Sequence, residues 1–518
     1  MTKGHTYKTL SRADYIAFAA MVFGMFMAIL DIQIVASSLS TIAAGLSATA
    51  DELSWIQTSY MVAEAIVIPA TGFLSRAFST RISYAVSCAG FTIMSLMCSM
   101  AWNINSMIIF RALQGLFGGA MIPTVLGSMF TLFSPKQRPV MGVVLGLVVT
   151  LAPTLGPTLG GYITEIASWR MMFLINLIPG ILVSLAVLKF ANFNKPDLSI
   201  LKNFDYWGVA LMTISLGVLE YVLEEGSRYA WFESRYIMLL TVIIASSFIA
   251  LIIRELNFSN PIIHLTAFKN RNFTVGCITG FILGIGLFGV VYIMPLFLYR
   301  IAGMDTLQIG IVMIVTGASQ LMIAPIAGKM AGTIHDKRIM LVIGFVGFAF
   351  GCHLNADLTP DSRFYEFLWP QVFRGAALMF CFIPINEMAL GTMHPAEIQN
   401  ASGLYNLTRN IGGAVGLAII NTAIGDDTKR FANILSSHLV PTDANVHYMQ
   451  GFFHKMFALK VPHPDMMSLE IMNQMIMRDA LIIAMNDIFL AISALFIGGL
   501  VLVPLFQQPK MKSEIVGH

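Results

Sequence analysis

Apolar runs long enough to cross a bilayer follow one another through almost the whole chain, and no other feature limits its fold as tightly. A hydrocarbon core about 30 Å thick is spanned by about 20 helical residues at about 1.5 Å rise each. Fourteen such runs are present, at 15–39, 53–74, 82–102, 106–130, 140–162, 171–191, 206–224, 236–254, 273–298, 307–331, 339–356, 366–391, 401–424 and 481–505. Charged residues make up 11% of the 518, under half of the roughly 25% with which a soluble domain covers its surface. The expectation is an all-α polytopic protein whose outer face meets lipid. The first run follows a polar head carrying Lys3, Lys8 and Arg12; it is too long for a signal-peptide core and reads as a retained helix.

Several function classes drop out at this point. A net charge of +3 without a basic tail offers no footprint for nucleic acid. Cys88, Cys98, Cys277, Cys352 and Cys381 all fall inside apolar runs and form no CxxC pair, so they read as small buried hydrophobes. His438, His447, His454 and His463 lack zinc-ligand spacing, and no metal is expected. No nucleophile–base arrangement or phosphate loop stands out, so an enzyme is not expected.

Loop charge sets the orientation. With the N-terminus inside, eighteen Lys and Arg fall in inner segments and five in short outer loops, the bias of the positive-inside rule. Both termini are expected in the cytoplasm. Removing the pair 206–254 would leave that orientation unchanged, so charge does not separate twelve helices from fourteen. The polar breaks Phe193–Asp205 and Glu224–Glu233 favour fourteen.

A weak repeat sets the domain layout. Pro69-Ala70-Thr71-Gly72 recurs 256 residues later as Pro325-Ile326-Ala327-Gly328, and Phe110-Arg111 recurs 263 residues later as Phe373-Arg374. Two six-helix bundles, 1–195 and 261–518, are expected to flank two inserted helices in 196–260, with the polar stretch 425–480 as a long periplasmic loop. Two related halves around a central cavity suit a transporter.

A charge near the bilayer centre costs several kcal/mol and persists where it meets a cavity or a partner. Asp31 lies two-thirds through the first run, Glu64 near the middle of the second, and Arg111 inside the outer end of the fourth, with Gln114 one turn away on the same face. A carboxylate beside an arginine stays ionised, and one in an apolar cavity protonates. A site that alternates between the two loads and releases protons, whereas a fixed pair only ties helices together. Glu220, Glu387, Arg374, Arg409 and Asp487 lie nearer helix ends, where snorkelling or interhelical bonding is the expectation. The fifth run carries Gly142, Gly146, Gly156, Gly160 and Gly161, which permit close helix approach. Its Pro153 and Pro157 each remove a backbone hydrogen bond. It reads as a bending point between the halves.

These residues resemble the fourteen-helix drug:proton antiporters of the major facilitator superfamily, EmrB/QacA type. Leu30-Asp31-Ile-Gln-Ile-Val35 resembles their helix-1 motif, and Arg111-Ala-Leu-Gln114-Gly115 the helix-4 motif whose arginine is assigned to proton coupling. Gly156-Pro157-Thr-Leu-Gly160-Gly161 matches the helix-5 antiporter motif, and Ser168-Trp169-Arg170-Met-Met-Phe173-Leu-Ile-Asn176 the entry to helix 6. Thr58-Ser59-Tyr60-Met61-Val62-Ala63-Glu64 and Arg409-Asn410-Ile-Gly412-Gly413 are similar to the EmrB branch. The loop Gly72-Phe-Leu-Ser-Arg76-Ala-Phe-Ser79-Thr-Arg81 departs from the family pattern, with Arg76 in place of an aspartate and Ser79 in place of a glycine. The resemblance implies a major facilitator fold in the inner membrane and export of hydrophobic or amphipathic drug-like molecules. The proton gradient would be the energy source and no cofactor is needed. It also implies a periplasmic membrane-fusion adaptor of the EmrA kind and an outer-membrane channel. Asp31, Arg111, Glu64 and Gln114 would carry proton coupling, Pro153, Gly156, Pro157, Gly160 and Gly161 the gate, and Gly72, Arg76 and Arg81 the cytoplasmic loop motif. The alternative is an exporter of one defined metabolite or siderophore with the same fold.

Overall fold

The apolar runs become helices, beginning where the caps allow. A computed structural model describes residues 10–258, 261–395, 397–439, 444–458 and 463–507. Lys3, Lys8, Lys510 and Lys512, on which the orientation of the termini leaned, lie outside the described residues. We number the principal helices α1 Arg12–Ser37, α2 Trp55–Val67, α3 Ser79–Ser99, α4 Ile104–Leu132, α5 Arg138–Ile166, α6 Met171–Phe190 and α7 Tyr206–Glu225. They continue as α8 Arg235–Asn257, α9 Arg271–Arg300, α10 Thr306–Thr333, α11 Lys337–Leu354, α12 Phe364–Leu390, α13 Ile398–His438 and α14 Pro464–Gly499. Ser11 and Asp14 form a capping box at the start of α1, and Asp305 and Gln308 do so at α10, satisfying amides that would otherwise be orphaned.

Among the described residues twelve of these helices are long and apolar enough to cross a membrane. The two outside that set are α2 and α13. Pro69 turns the end of α2 through a 3-10 segment, Ile68–Ala70, before the helix resumes at Thr71–Ala77. α13 is rich in Asn, Thr, Arg and Asp, and its first half is buried among other helices.

The stretch 425–480 departs from the expected loop. α13 continues through it to His438, a further helix covers Ala444–Phe457, and α14 begins at Pro464. Polarity there marks contact with water, not loss of helix. No proline interrupts 425–438, and Asp427 and Arg430 pair one turn apart at 4.0 Å. His454 meets Asp465 at 2.7 Å, joining the short helix to the start of α14.

The two sets of six helices share one pattern of neighbours. α1 packs on α5 and α6, α2 on α4, and α3 on α4 and α6. Likewise α9 packs on α13 and α14, α10 on α12, and α11 on α12 and α14. The sets meet through α5 against α10 and through α13 against the ends of α2 and α4. The hairpin α7–α8 lies outside, with α7 on α2 and α13, and it is tied by Asp205 to Arg254 at 3.1 Å.

Candidate functional site

Close contact between α2 and α4 creates the site. Gly115 on α4 faces the Tyr60 backbone, and Gly119 faces Glu64; a Cβ at either position would collide with α2. That approach holds Arg111 against α2 inside the first bundle. Arg111 is 0% exposed and Asp31 2%. Arg111 Nη1 donates to Asp31 Oδ2 at 2.7 Å and to Gln114 Oε1 at 2.6 Å, and its Nε donates to the Ile56 carbonyl at 3.2 Å. The Tyr60 ring lies under the guanidinium at 4.3 Å. Asn176 Nδ2 donates to Asp31 Oδ1 at 2.7 Å, and Gln114 Nε2 donates to Ser95 Oγ at 2.7 Å. Five helices, α1, α2, α3, α4 and α6, thus converge on one ion pair.

Of the residues singled out in sequence, the structure joins Asp31, Arg111 and Gln114 in this network and leaves Glu64 outside it. Glu64 faces a different space, a cavity between the two sets of helices. Gln33, Met61, Glu64 and Pro153 line it from the first set, and Phe288, Arg409 and Asn410 from the second. Asn410 Nδ2 donates to Glu64 Oε1 at 3.3 Å, joining the sets across the cavity. Both carboxylates are buried, at 2% and 4% exposure, but Asp31 is enclosed within the first bundle and Glu64 lines the cavity between the sets. Asn176, Ser95 and Tyr60 are members that sequence reasoning did not assign. Asn176 and Tyr60 lie within the quoted motifs, while Ser95 carries no signal of its own.

The helix-5 residues divide between two partners. Gly156 packs against Gln33 of α1, within the first bundle, while Gly142 and Gly146 face Ile383, Phe382 and Met379 of α12. Pro157 is half-buried, Gly160 buried and Gly161 half-buried. The seam with α10 is formed by neighbours on another face: Gly310 meets Thr158, Gly317 meets Leu151, and Thr150 Oγ1 donates to Gln320 Oε1 at 2.8 Å. α5 runs unbroken through both prolines.

At the end of the molecule where α1 begins, the loop motif touches the second set. Gly72 abuts Asn400 of α13. Arg76 Nη2 lies 2.9 Å from His264 Nε2, and His264 and Asn400 exchange two backbone–side-chain hydrogen bonds at 3.1 Å. Burial, then the neighbouring Arg76 charge, hold the His264 imidazole below its usual 6.5. Arg81 is exposed.

The charges expected near helix ends behave differently from one another. Lys337 and Glu387 pair at 2.9 Å, the interhelical bond expected of Glu387, and Asp487 is exposed. Arg374, Arg409 and Glu220 do not snorkel; they are buried at 2%, 3% and 5% exposure. Position along a helix gives depth, but the face a residue occupies decides whether it meets water.

Comparison with known proteins supports the same architecture. The family profile described as Major Facilitator Superfamily matches residues 21–417. The chain is 39% identical over 431 residues to the colistin resistance protein EmrB of Acinetobacter baumannii, covering 83% of this chain and 84% of that protein. It is 29% identical over 479 residues to the multidrug export protein EmrB of Escherichia coli, covering 92% of each. Among solved structures, the human organic anion transporter MFSD10 superposes with a TM-score of 0.59 at 12% identity, covering 95% of this chain and 99% of that one, a likeness of fold.

Proposed function

Because the chain belongs to the major facilitator superfamily, we propose that it is a multi-pass exporter of drug-like molecules, driven by protons moving the other way. The names of its relatives, colistin resistance protein and multidrug export protein, support this substrate class. The observation that carries the coupling is the Glu64 carboxylate on a cavity lined by both sets of helices. Proton exchange needs a carboxylate that meets the transport space, and Glu64 on this cavity supports that role. Tyr60 sits one turn from Glu64 on α2 and stacks on Arg111. A change at Glu64 is thus felt at the Asp31–Arg111 pair, which acts as the buried second station.

In this reading all fourteen helices cross the inner membrane with both termini in the cytoplasm. Residues 1–195 and 261–518 rock against each other about the α5–α10 and α2–α13 seams, and 196–260 ride outside. Pro153 and Pro157 soften α5 beside the cavity, with Gly156 setting its approach to α1 and Gly160 and Gly161 extending the same motif toward the end of the helix. Gly72 and Arg76 close the cytoplasmic end, with Arg81 beside them. An EmrA-like adaptor and an outer-membrane channel would receive the exported molecule.

Ethidium efflux from cells expressing the protein, with and without a proton uncoupler, tests the reading. Efflux is expected to stop with uncoupler and in Asp31→Asn at equal expression. Efflux that continues after the gradient is collapsed refutes antiport.

A further inference from the structure

The second bundle repeats the arginine site of the first but omits its counter-ion. Arg374 sits on α12 as Arg111 sits on α4. Each donates to a glutamine one turn away on its own helix, Gln371 and Gln114 respectively. Thr316 lies 256 residues after Tyr60 and faces the same glutamine from α10, its Oγ1 donating to Gln371 Oε1 at 2.5 Å. The residue 256 positions after Asp31 is Leu287. Where α1 brings a carboxylate to its arginine, α9 brings an isobutyl group.

The consequence is visible around Arg374. Its side chain is 2% exposed, and its Nε and Nη1 have no hydrogen-bond partner. Beside it lies a cavity walled by Arg374, Leu287, Val290, Met313 and Phe348. Arginine does not deprotonate in proteins, so a full positive charge faces apolar space. Leu287 also lines the central cavity, and Thr154 of the smaller cavity adjoins Pro153 of the larger, so the two spaces share a wall.

We propose that this cavity is an anion subsite: Arg374 takes the carboxylate of an amphipathic organic acid whose apolar body extends past Leu287 into the central cavity. The chemistry selects the ligand. An unpaired buried guanidinium favours a monoanion, and the carboxylate is the group its sister site already uses. Walls mostly of Leu, Val, Met and Phe, with Thr154 and Thr316 among them, disfavour a strongly hydrated inorganic ion and reward an alkyl or aryl body. The subsite deepens the exporter reading above, because it defines the acidic branch of the substrates that the central cavity accepts.

The test is scintillation-proximity binding of [14C]octanoate to the full-length protein in lipid nanodiscs, with octanamide and acetate as competitors. Octanoate is expected to bind, and octanamide and acetate to compete at least about tenfold more weakly, since each lacks one half of the recognised chemistry. Arg374→Gln is expected to weaken octanoate at least about tenfold. Leu287→Asp keeps the arginine and supplies an internal carboxylate, so it should lose octanoate to the same degree while melting no lower than the parent protein. Octanamide competing as well as octanoate overturns the proposal, as does unchanged octanoate binding in Leu287→Asp. Ethidium efflux measured on the parent protein separates the two readings. Efflux without octanoate binding sinks the subsite and leaves the exporter, and octanoate binding without efflux does the reverse.

Discussion

The two bundles treat a buried arginine in opposite ways. In the first, Arg111 is met by Asp31, Gln114, the Ile56 carbonyl and the Tyr60 ring. In the second, Arg374 has one glutamine and open space. The difference comes from two positions, aspartate against leucine on α1 and α9, and Tyr60 against Thr316 on α2 and α10. In the two proposals above, the closed pair handles protons and the open guanidinium receives an anion. The two halves thus share a scaffold and differ in the few side chains that meet the arginine.

Removing the charge from each arginine in turn should expose that contrast most strongly. Arg111→Gln leaves the Asp31 carboxylate buried without its partner and is expected to cost about 3–5 kcal/mol of stability. Arg374→Gln removes a charge that has no partner and should fall within about 1 kcal/mol of the parent protein or above it. Thermal unfolding in detergent, read side by side, decides. Equal losses at the two sites mean that Arg374 is paired in solution and the asymmetry is false.

A second contrast lies within the first bundle, between sealed Asp31 and cavity-facing Glu64. Glu64→Gln should reduce ethidium efflux to the level of cells lacking the protein while leaving ethidium binding in place, because the change removes a proton carrier and keeps the cavity's shape. Asp31→Asn should also stop efflux and additionally lower the melting temperature, since it disturbs a pair hydrogen-bonded to two further side chains, Gln114 and Asn176, and to the Ile56 carbonyl. If Glu64→Gln transports normally, the proton meets the protein elsewhere and the order of the two stations is reversed.

The bundles also meet directly, through Arg76 of the first and His264 and Asn400 beside the second. Neutral His264 accepts from Arg76, and protonated His264 repels it. Because the imidazole sits below its usual 6.5 in this contact, the closed arrangement binds fewer protons than the open one. The contact is fully favoured above that pH and weakens as pH falls through it. Glu397 pulls the other way, more weakly. Spin labels at the exposed Arg81 and Glu397 positions are expected to move apart between pH 8 and pH 5, and His264→Gln, which accepts without titrating, should flatten the change. A distance indifferent to pH in both proteins would show that this contact does not hold the halves together.

How much of this was legible beforehand follows from what hydropathy measures. It reports the lipid-facing average of a segment, so the apolar helices stood out, while the helical run through 425–438 did not. Asp31, Arg111 and Gln114 were readable as partners because equal depth on neighbouring helices brings long side chains within reach. That Glu64 stands outside their hydrogen-bond network was not readable, because depth says nothing about rotation about the helix axis. Its face of α2 points to α13, which is far away in sequence. Arg374 and Arg409 looked like end residues for the same reason. Ser95 and the orphaned atoms of Arg374 belong to packing alone, and no spacing in the chain announces them.

The smallest effect concerns the way each bundle starts its third helix. α11 begins conventionally, with Asp336 at φ −98° accepting from the Arg338 amide at 3.0 Å. α3 begins at Ser79 with φ +73°, a conformation that suits glycine, the residue the related family loop carries there. The Ser79 hydroxyl recovers little, accepting from the Ile82 amide at 3.4 Å. Ser79→Gly relieves the left-handed strain, worth about 1–2 kcal/mol, and gives part of it back in unfolded-state entropy. A net gain of about 0.5–1 kcal/mol is expected in thermal unfolding, with efflux unchanged. Asp336→Gly at the equivalent start in the second bundle removes a working cap and should lose stability. Opposite signs at two equivalent positions would extend the lesson of the arginines to the backbone, and a loss at both would show that Ser79 is held by its hydroxyl after all.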